Sequence, residues 1–269
     1  QGGTMTISPE TIFTDVQAIR KTSPLVHNIT NYVVMNNTAN ALLALGASPV
    51  MAHAEPEVAD MAGIAGALVI NIGTLSDPWI ASMFTAAKAA QAKGIPMVLD
   101  PVGAGATAYR TDTARKLMQQ CKPAVIRGNG SEIMALGTQD AATKGVDSAS
   151  AADMAVDCAK ALNRELGSAV CITGEIDYIV HSDSVIQIKN GHAMMPKVTG
   201  LGCTASALCG AFAAVNPDPA AAAAHAMAVM GMAGEMAGGS AKGPGSFQMH
   251  FLDALYQITA SDIRALYKE

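Results

Sequence analysis

One unit recurs along this chain: a short apolar run, ending in polar residues, followed by a stretch of helical length. Leu25-Val26 runs into His27-Asn28-Ile29-Thr30-Asn31, residues 67–70 run into Asn71-Ile72-Gly73, and residues 96–99 run into Asp100-Pro101. Residues 124–126 likewise meet Arg127-Gly128-Asn129, and residues 169–172 meet Thr173-Gly174-Glu175. Such short, β-branched runs read as strands buried on both faces. The spacing predicts helices over 9–20, 33–45, 77–93, 109–120 and 150–166, with a short extended piece at 48–51. A hairpin over 176–180 and 185–188 follows, and helices at 203–215, 219–237, 247–259 and 261–268 close the chain. Alternation of this kind implies βαβ units, an α/β fold with a mainly parallel central sheet between two helical layers. Ligands of open parallel sheets bind beyond the carboxyl ends of the strands. The polar residues at those ends, His27, Asn28, Asn71, Asp100, Arg127, Asn129 and Thr173, therefore form a candidate active-site rim.

A second signal is Thr199-Gly-Leu-Gly-Cys203, immediately ahead of the small-residue run that reaches Phe212. Glycines at 200 and 202 let backbone amides turn inward. The helix start behind them offers unpaired N–H groups to a phosphate or an oxyanion. Cys203 is expected at that helix N-terminus, a setting that lowers a thiol's pKa. The plainer reading is a tight turn with Cys203 as a small core residue.

Composition removes several classes. The formal charge of −5 over 269 residues, without a basic run, argues against a nucleic-acid surface. Five cysteines without framework spacing point to free thiols in a reducing cytoplasm. The uncharged stretch 198–217 is broken by Gly200, Gly202, Gly210 and Asn216 and is too weakly apolar to insert into a membrane, so a soluble protein is expected. His53, His181, His192, His225 and His250 lack metal-ligand spacing. His27 reads as a structural hydrogen-bonder, and Cys121, Cys158, Cys171 and Cys209 read as packing. No repeat or linker divides the chain, so residues 1–269 read as a single domain. Gln1-Gly-Gly-Thr4, ahead of Met5, is set aside as a cloning remnant.

Seven segments in this order carry a resemblance to a known family: Pro24-Leu-Val-His-Asn-Ile-Thr-Asn31, Gly46-Ala-Ser-Pro-Val-Met51, Leu99-Asp-Pro-Val-Gly-Ala-Gly105, Ile126-Arg-Gly-Asn-Gly-Ser-Glu132, Ile172-Thr-Gly-Glu175, Thr199-Gly-Leu-Gly-Cys203 and Gly243-Pro-Gly-Ser-Phe247. The chain resembles hydroxyethylthiazole kinase, the thiamine-salvage branch of the ribokinase-like superfamily. The resemblance implies a ribokinase-like three-layer α/β/α fold. It also implies transfer of the γ-phosphoryl group of ATP to the hydroxyl of 4-methyl-5-(2-hydroxyethyl)thiazole. By the same resemblance Met51, Gly200 and Asn28 are substrate-site residues, Arg127, Thr173 and Asn129 are ATP contacts, and Glu132, through water, and Asp100 serve Mg²⁺. Gly200, Gly202 and Cys203 surround the transferring group, with Cys203 positioning the hydroxyl more than acting as a base. The family further implies a homotrimer with substrate sites near subunit boundaries, where Asn28 and its neighbours face a second chain.

Three alternatives share the fold: a hydroxymethylpyrimidine or pyridoxal kinase, a nucleotide-dependent dehydratase, and a non-catalytic ligand-binding protein. The first two favour aspartate where this chain has Cys203. The third is at odds with the intact Arg127, Asn129, Glu132 and glycine turn.

Overall fold

A computed structural model describes residues 7–137 and 150–268, so Gln1–Thr4 lie outside the described residues. Helix α1 (Pro9–Thr22) starts at an N-cap formed by Ser8, whose side chain accepts from the Thr11 amide. It leads into β1 (Leu25–Ile29), α2 (Met35–Leu45), β2 (Ser48–Val50), α3 (Glu55–Ile64) and β3 (Ala67–Asn71). Then follow α4 (Asp77–Lys93), β4 (Met97–Asp100), α5 (Ala108–Cys121), β5 (Val125–Asn129) and the short α6 (Gly130–Leu136). After α7 (Ala151–Leu166) come β6 (Ala169–Thr173) and the hairpin β7 (Asp177–His181) and β8 (Ser184–Ile188). The chain closes with α8 (Leu201–Ala213), α9 (Pro219–Ser240), α10 (Pro244–Gln257) and α11 (Ala260–Leu266).

The strands form one eight-stranded sheet in the order β2-β1-β3-β4-β5-β6-β7-β8. Pairing is parallel from β2 through β6, and the terminal hairpin adds antiparallel strands. Side chains alternate across it with period two. Val26, Val69, Val98, Val125, Ala169 and Cys171 join the core formed with α1, α2, α8, α9, α10 and α11. Ile29, Leu68, Ile70, Met97, Leu99, Ile126, Val170 and Ile172 join the opposite core, with α3, α4, α5, α6 and α7. The three-layer expectation holds. None of the helices among the described residues is long and apolar enough to cross a membrane.

Three local expectations change. The strands extend past their apolar runs because ladder bonds continue, so His27, Asn28, Asn71, Asp100, Arg127, Asn129 and Thr173 lie within strands instead of just beyond them. Helix α3 has no counterpart in the sequence reading, although Glu55, Pro56 and Glu57 are ordinary helix-start residues. Only Val58 and Ala62 on it are buried, so its apolar face is too sparse to register as a period. Helix α10 begins at Pro244, which turns most of the expected Gly243–Phe247 loop into a first helical turn.

Candidate functional site

Period-two alternation puts a row of polar side chains on one face at the carboxyl ends of the strands. Asn71 shares a face with Val69, Asp100 with Val98, Arg127 with Val125, and Thr173 with Cys171. That is the face covered by α8, whose start reaches this end of the sheet through Cys203 to Asn31, Ser206 to Asp100 and Gly202 against Arg127. Asn71 and Asp100 are register partners on neighbouring strands.

These side chains form one connected network. Arg127 donates through Nη2 to Thr173 Oγ1, and its Nη1 lies 3.7 Å from Asp100 Oδ2. Asp100 Oδ2 also accepts from Asn71 Nδ2 at 2.9 Å and from Ser206 Oγ at 2.7 Å. Asn71 Oδ1 accepts from Asn31 Nδ2 at 2.9 Å, and the same Asn31 amide reaches Cys203 Sγ at 3.4 Å. Asn31 Oδ1 is held in turn by the Val33 amide. The network thus runs from β6 across β5, β4 and β3 to the loop after β1, and ends at the glycine turn.

Two buried atoms at its centre have no partner among the described residues: Asp100 Oδ1 and Arg127 Nε. Asp100 is 0% exposed, and burial raises its carboxyl pKa to about 6 against the lowering influence of Arg127 and Ser206. Burial works against the Arg127 charge, but Asp100, Cys171 and Glu132 outweigh it, and the guanidinium holds its proton more tightly than usual. A spare acceptor on a carboxylate beside a spare donor on a guanidinium is a site with capacity for both a cation and an anion.

Glu132 and Asn129 form a capping box at the start of α6. Asn129 Oδ1 accepts from the Glu132 amide and from Ser131 Oγ, while Glu132 Oε2 accepts from the Asn129 amide at 2.8 Å. Glu132 Oε1 takes the Gly103 amide at 2.9 Å, which ties the loop after β4 to the start of α6. Among the described residues no three His, Cys, Asp or Glu side chains form a metal cage. The donor set fits magnesium, which binds through one or two carboxylates and keeps its remaining positions for water and phosphate oxygens.

Gly200 caps α8 with φ +85°, and it has no side chain to occupy the first-turn amides. A Cβ there would meet Val34 Cγ1 at 2.7 Å. Replacement by alanine therefore combines left-handed strain of about 1–2 kcal/mol with a clash. Gly200→Ala is expected to lower the urea midpoint of unfolding by a shift equivalent to about 2 kcal/mol, with the m-value unchanged. At Gly202 a Cβ would lie 3.1 Å from Arg127 Nη1, so the bare backbone lets the guanidinium lie against the turn.

Cys203 is the third residue of α8. Its thiol pKa is raised, first by burial and then by the Asp100 charge, although Asn71 and Asn31 oppose the shift. Burial thus works against the lowering that a helix N-terminus favours for a thiol. Asn28 is buried within β1, with Nδ2 donating to the Val26 carbonyl and Oδ1 unpartnered among the described residues. Met51 follows β2 directly and is partly buried. His27 is fully buried and bonds the Ala52 carbonyl through Nε2, the structural role expected of it. Cys121, Cys158, Cys171 and Cys209 are buried free thiols.

The sequence reading assigned no role to Asn31 or Ser206 and left Asn71 as an unspecified rim residue. For Asn71 the signal was available in its parity with Val69. Asn31 and Ser206 become visible only when the loop after β1 and helix α8 are packed together.

Residues 16–261 match the model of the hydroxyethylthiazole kinase family. A relative named hydroxyethylthiazole kinase, from Syntrophus aciditrophicus, is 60% identical over 260 residues, which is 96% of this chain and 96% of the relative. A solved structure of a hydroxyethylthiazole kinase protein from Pyrococcus horikoshii OT3 superposes with a TM-score of 0.89 at 44% identity, covering 96% of this chain and 98% of that one. A ribokinase-like superfamily protein from Enterococcus faecalis shares the fold alone, with a TM-score of 0.63 at 12% identity over 95% of this chain and 98% of its own. Agreement along nearly the whole chain leads to one assignment: the chain belongs to the hydroxyethylthiazole kinase family and has the ribokinase-like fold.

Proposed function

We propose that this protein transfers the γ-phosphoryl group of ATP to the primary hydroxyl of 4-methyl-5-(2-hydroxyethyl)thiazole, acting along its length as one kinase domain. The observation that carries the chemistry is the pair of unpartnered buried atoms, Arg127 Nε and Asp100 Oδ1, beside an uncapped helix start. Phosphoryl transfer through a loose transition state depends on positioning and charge neutralisation more than on covalent work. Arg127, Thr173 and Asn129 bind the ATP phosphates in this reading, and the first-turn amides of α8 from Gly200 to Cys203 receive the γ-phosphoryl oxygens. Asp100, and Glu132 through water, hold Mg²⁺, which when bound neutralises phosphate charge. Met51, Gly200 and Asn28 belong to the acceptor end. A cytoplasmic homotrimer is part of the proposal, and the exposed Leu43, Met249 and Tyr256 supply apolar surface for subunit contacts.

Cys203 positions the acceptor hydroxyl and does not serve as the base. Its raised pKa leaves little thiolate near neutrality, and a primary alcohol in a loose transition state needs little early deprotonation. Cys203→Ser is expected to keep kcat within about tenfold of the parent, the scale of one lost neutral contact. Its pH–rate profile should also stay unchanged between pH 6 and 8. A loss of several orders of magnitude in a folded, thiazole-binding variant would assign the thiol a chemical role.

The reaction is tested by ADP release from ATP and Mg²⁺, with hydroxyethylthiazole, hydroxymethylpyrimidine and pyridoxal each offered as acceptor. Turnover on the thiazole alone is expected. Turnover on another acceptor instead would overturn the specificity, and binding without turnover on any would point to a ligand-binding protein.

A further inference from the structure

The loops that follow β3 and β4 are fastened to each other by a side chain outside the polar network. Arg110 is the third residue of α5 and is half-buried. A cation in the first turn of a helix is disfavoured by the dipole, so compensating contacts are expected there. They are three backbone carbonyls. Nη1 donates to Ile72 O and to Val102 O, each at 2.9 Å, and Nη2 donates to Gly73 O at 3.0 Å. Ile72 and Gly73 lie just beyond β3, and Val102 lies just beyond β4.

Two of these carbonyls belong to peptide units that are bonded at both ends. The Ile72–Gly73 peptide gives its carbonyl to Arg110 and its N–H to Asn71 Oδ1 at 2.9 Å. The Val102–Gly103 peptide gives its carbonyl to Arg110 and its N–H to Glu132 Oε1 at 2.9 Å. Each peptide is thus a bridge from one guanidinium nitrogen to a side chain of the candidate site. Asn71 continues to Asp100 Oδ2, and the other oxygen of that carboxyl has no partner among the described residues. Hydrogen bonds in series polarise one another, so a cation on the carbonyl makes the N–H at the far end a better donor. The close approach also accounts for a glycine: Gly103 has φ +75°, and a Cβ on it would lie 3.1 Å from Arg110 Cδ.

We infer that Arg110 is a positioning residue. Through these two peptides it fixes Asn71 and Glu132, and through Asn71 the Asp100 carboxyl, in the arrangement that receives the magnesium-bound nucleotide. This rests on the kinase reading above and adds a residue that touches neither nucleotide nor acceptor. Lysine is no substitute, since it lacks the planar fork that meets three carbonyls at once.

Hydrogen exchange in the full chain, without magnesium or nucleotide, tests the bridges directly. In Arg110→Met the Gly73 and Gly103 amides should exchange about tenfold faster, the scale of one weakened hydrogen bond, while amides in the middle of β3 and β4 keep the parent's protection. Tyr109→Phe is the control. It removes a different tie between the starts of α5 and α4, the bond from Tyr109 Oη to Asp77 Oδ1 at 2.7 Å, and should leave both glycine amides unchanged. In turnover, Arg110→Met and Arg110→Lys should each raise the Mg²⁺ concentration for half-maximal rate about tenfold, with the acceptor KM within about twofold. Should Arg110→Met not fold, Arg110→Lys carries both readouts. Unchanged exchange at Gly73 and Gly103 in a folded variant would overturn the inference. So would faster exchange with an unchanged Mg²⁺ requirement, since Arg110 would then brace the loops alone. If the parent does not phosphorylate the thiazole, the kinase reading fails by itself. Arg110 is then judged by Mg²⁺–ATP binding in place of turnover, and an unchanged Kd in both variants overturns its role.

Discussion

Arg127→Ala is expected to raise the ATP concentration for half-maximal turnover by about 10²-fold or more, with a much smaller effect on the acceptor KM. Hydrogen bonds to charged groups contribute about 1.5–3 kcal/mol each, so losing two phosphate contacts costs on the order of 3–6 kcal/mol, about 10²- to 10⁴-fold. Arg127 suits this role by position: Nη2 is committed to Thr173, Nη1 faces Asp100, and Nε is buried without a partner among the described residues. The alanine variant also strands the Asp100 carboxyl without its counter-charge, a destabilisation of about 3 kcal/mol. Lysine serves as the control, since it keeps the charge but loses the planar fork. Arg127→Lys should unfold near the parent's midpoint while still showing a raised KM for ATP. If a folded Arg127→Ala protein had an unchanged KM for ATP, the proposed nucleotide role of Arg127 would be falsified.

Asp100→Asn should lower kcat by about 10²–10³ and raise the Mg²⁺ concentration needed for half-maximal activity, consistent with the loss of an anionic group that holds a charge-neutralising cation. Asparagine can keep the bonds that Asp100 Oδ2 accepts from Asn71 and Ser206, so the change is close to isosteric. The same variant has a signature in stability. Burial raises the folded-state pKa of Asp100 from 3.8 to about 6. Between those values the folded protein binds more protons than the unfolded chain, so the stability from this group is fully present below pH 4. It is lost as pH rises toward 6 and then stays level. The difference amounts to a few kcal/mol for a shift of this size. Asp177, whose pKa burial also raises to about 6, contributes in the same direction but is present in both proteins. Subtracting the urea stability curves of parent and Asp100→Asn, measured without nucleotide or magnesium, should therefore leave a difference that changes between pH 4 and 6 and is flat above. A pH-independent difference would mean that Asp100 is not desolvated as the structure indicates.

Much of the site could be read from strand ends. A short apolar run can be recognised locally, and a parallel sheet directs such ends to one side, so Asp100, Arg127 and Thr173 could be grouped without coordinates. Asn129 and Glu132 were equally visible, but their mutual capping was not, because a metal-associated residue and a capping residue look alike at a spacing of three. Cys203 shows the limit more sharply. Its place in the first turn of α8 followed from the glycines, whereas its ionisation depends on how deeply the helix end is buried and on Asp100, a residue on a different element.

By itself the sequence determined the alternation of strands and helices, the largely parallel sheet between two layers, and the edge of the sheet that carries the candidate site. These follow from short-range causes: period-two burial, proline and glycine punctuation, and the polar residues needed where a strand leaves the core. Tertiary structure alone decided that Asn31 joins Cys203 to Asn71, that Ser206 reaches Asp100 from a helix rich in small residues, and that Trp79 gathers Tyr32 and His53 around it. Each of those contacts joins residues far apart in the chain. Their hydrogen-bond geometry, desolvation and ring packing arise only when the elements have docked.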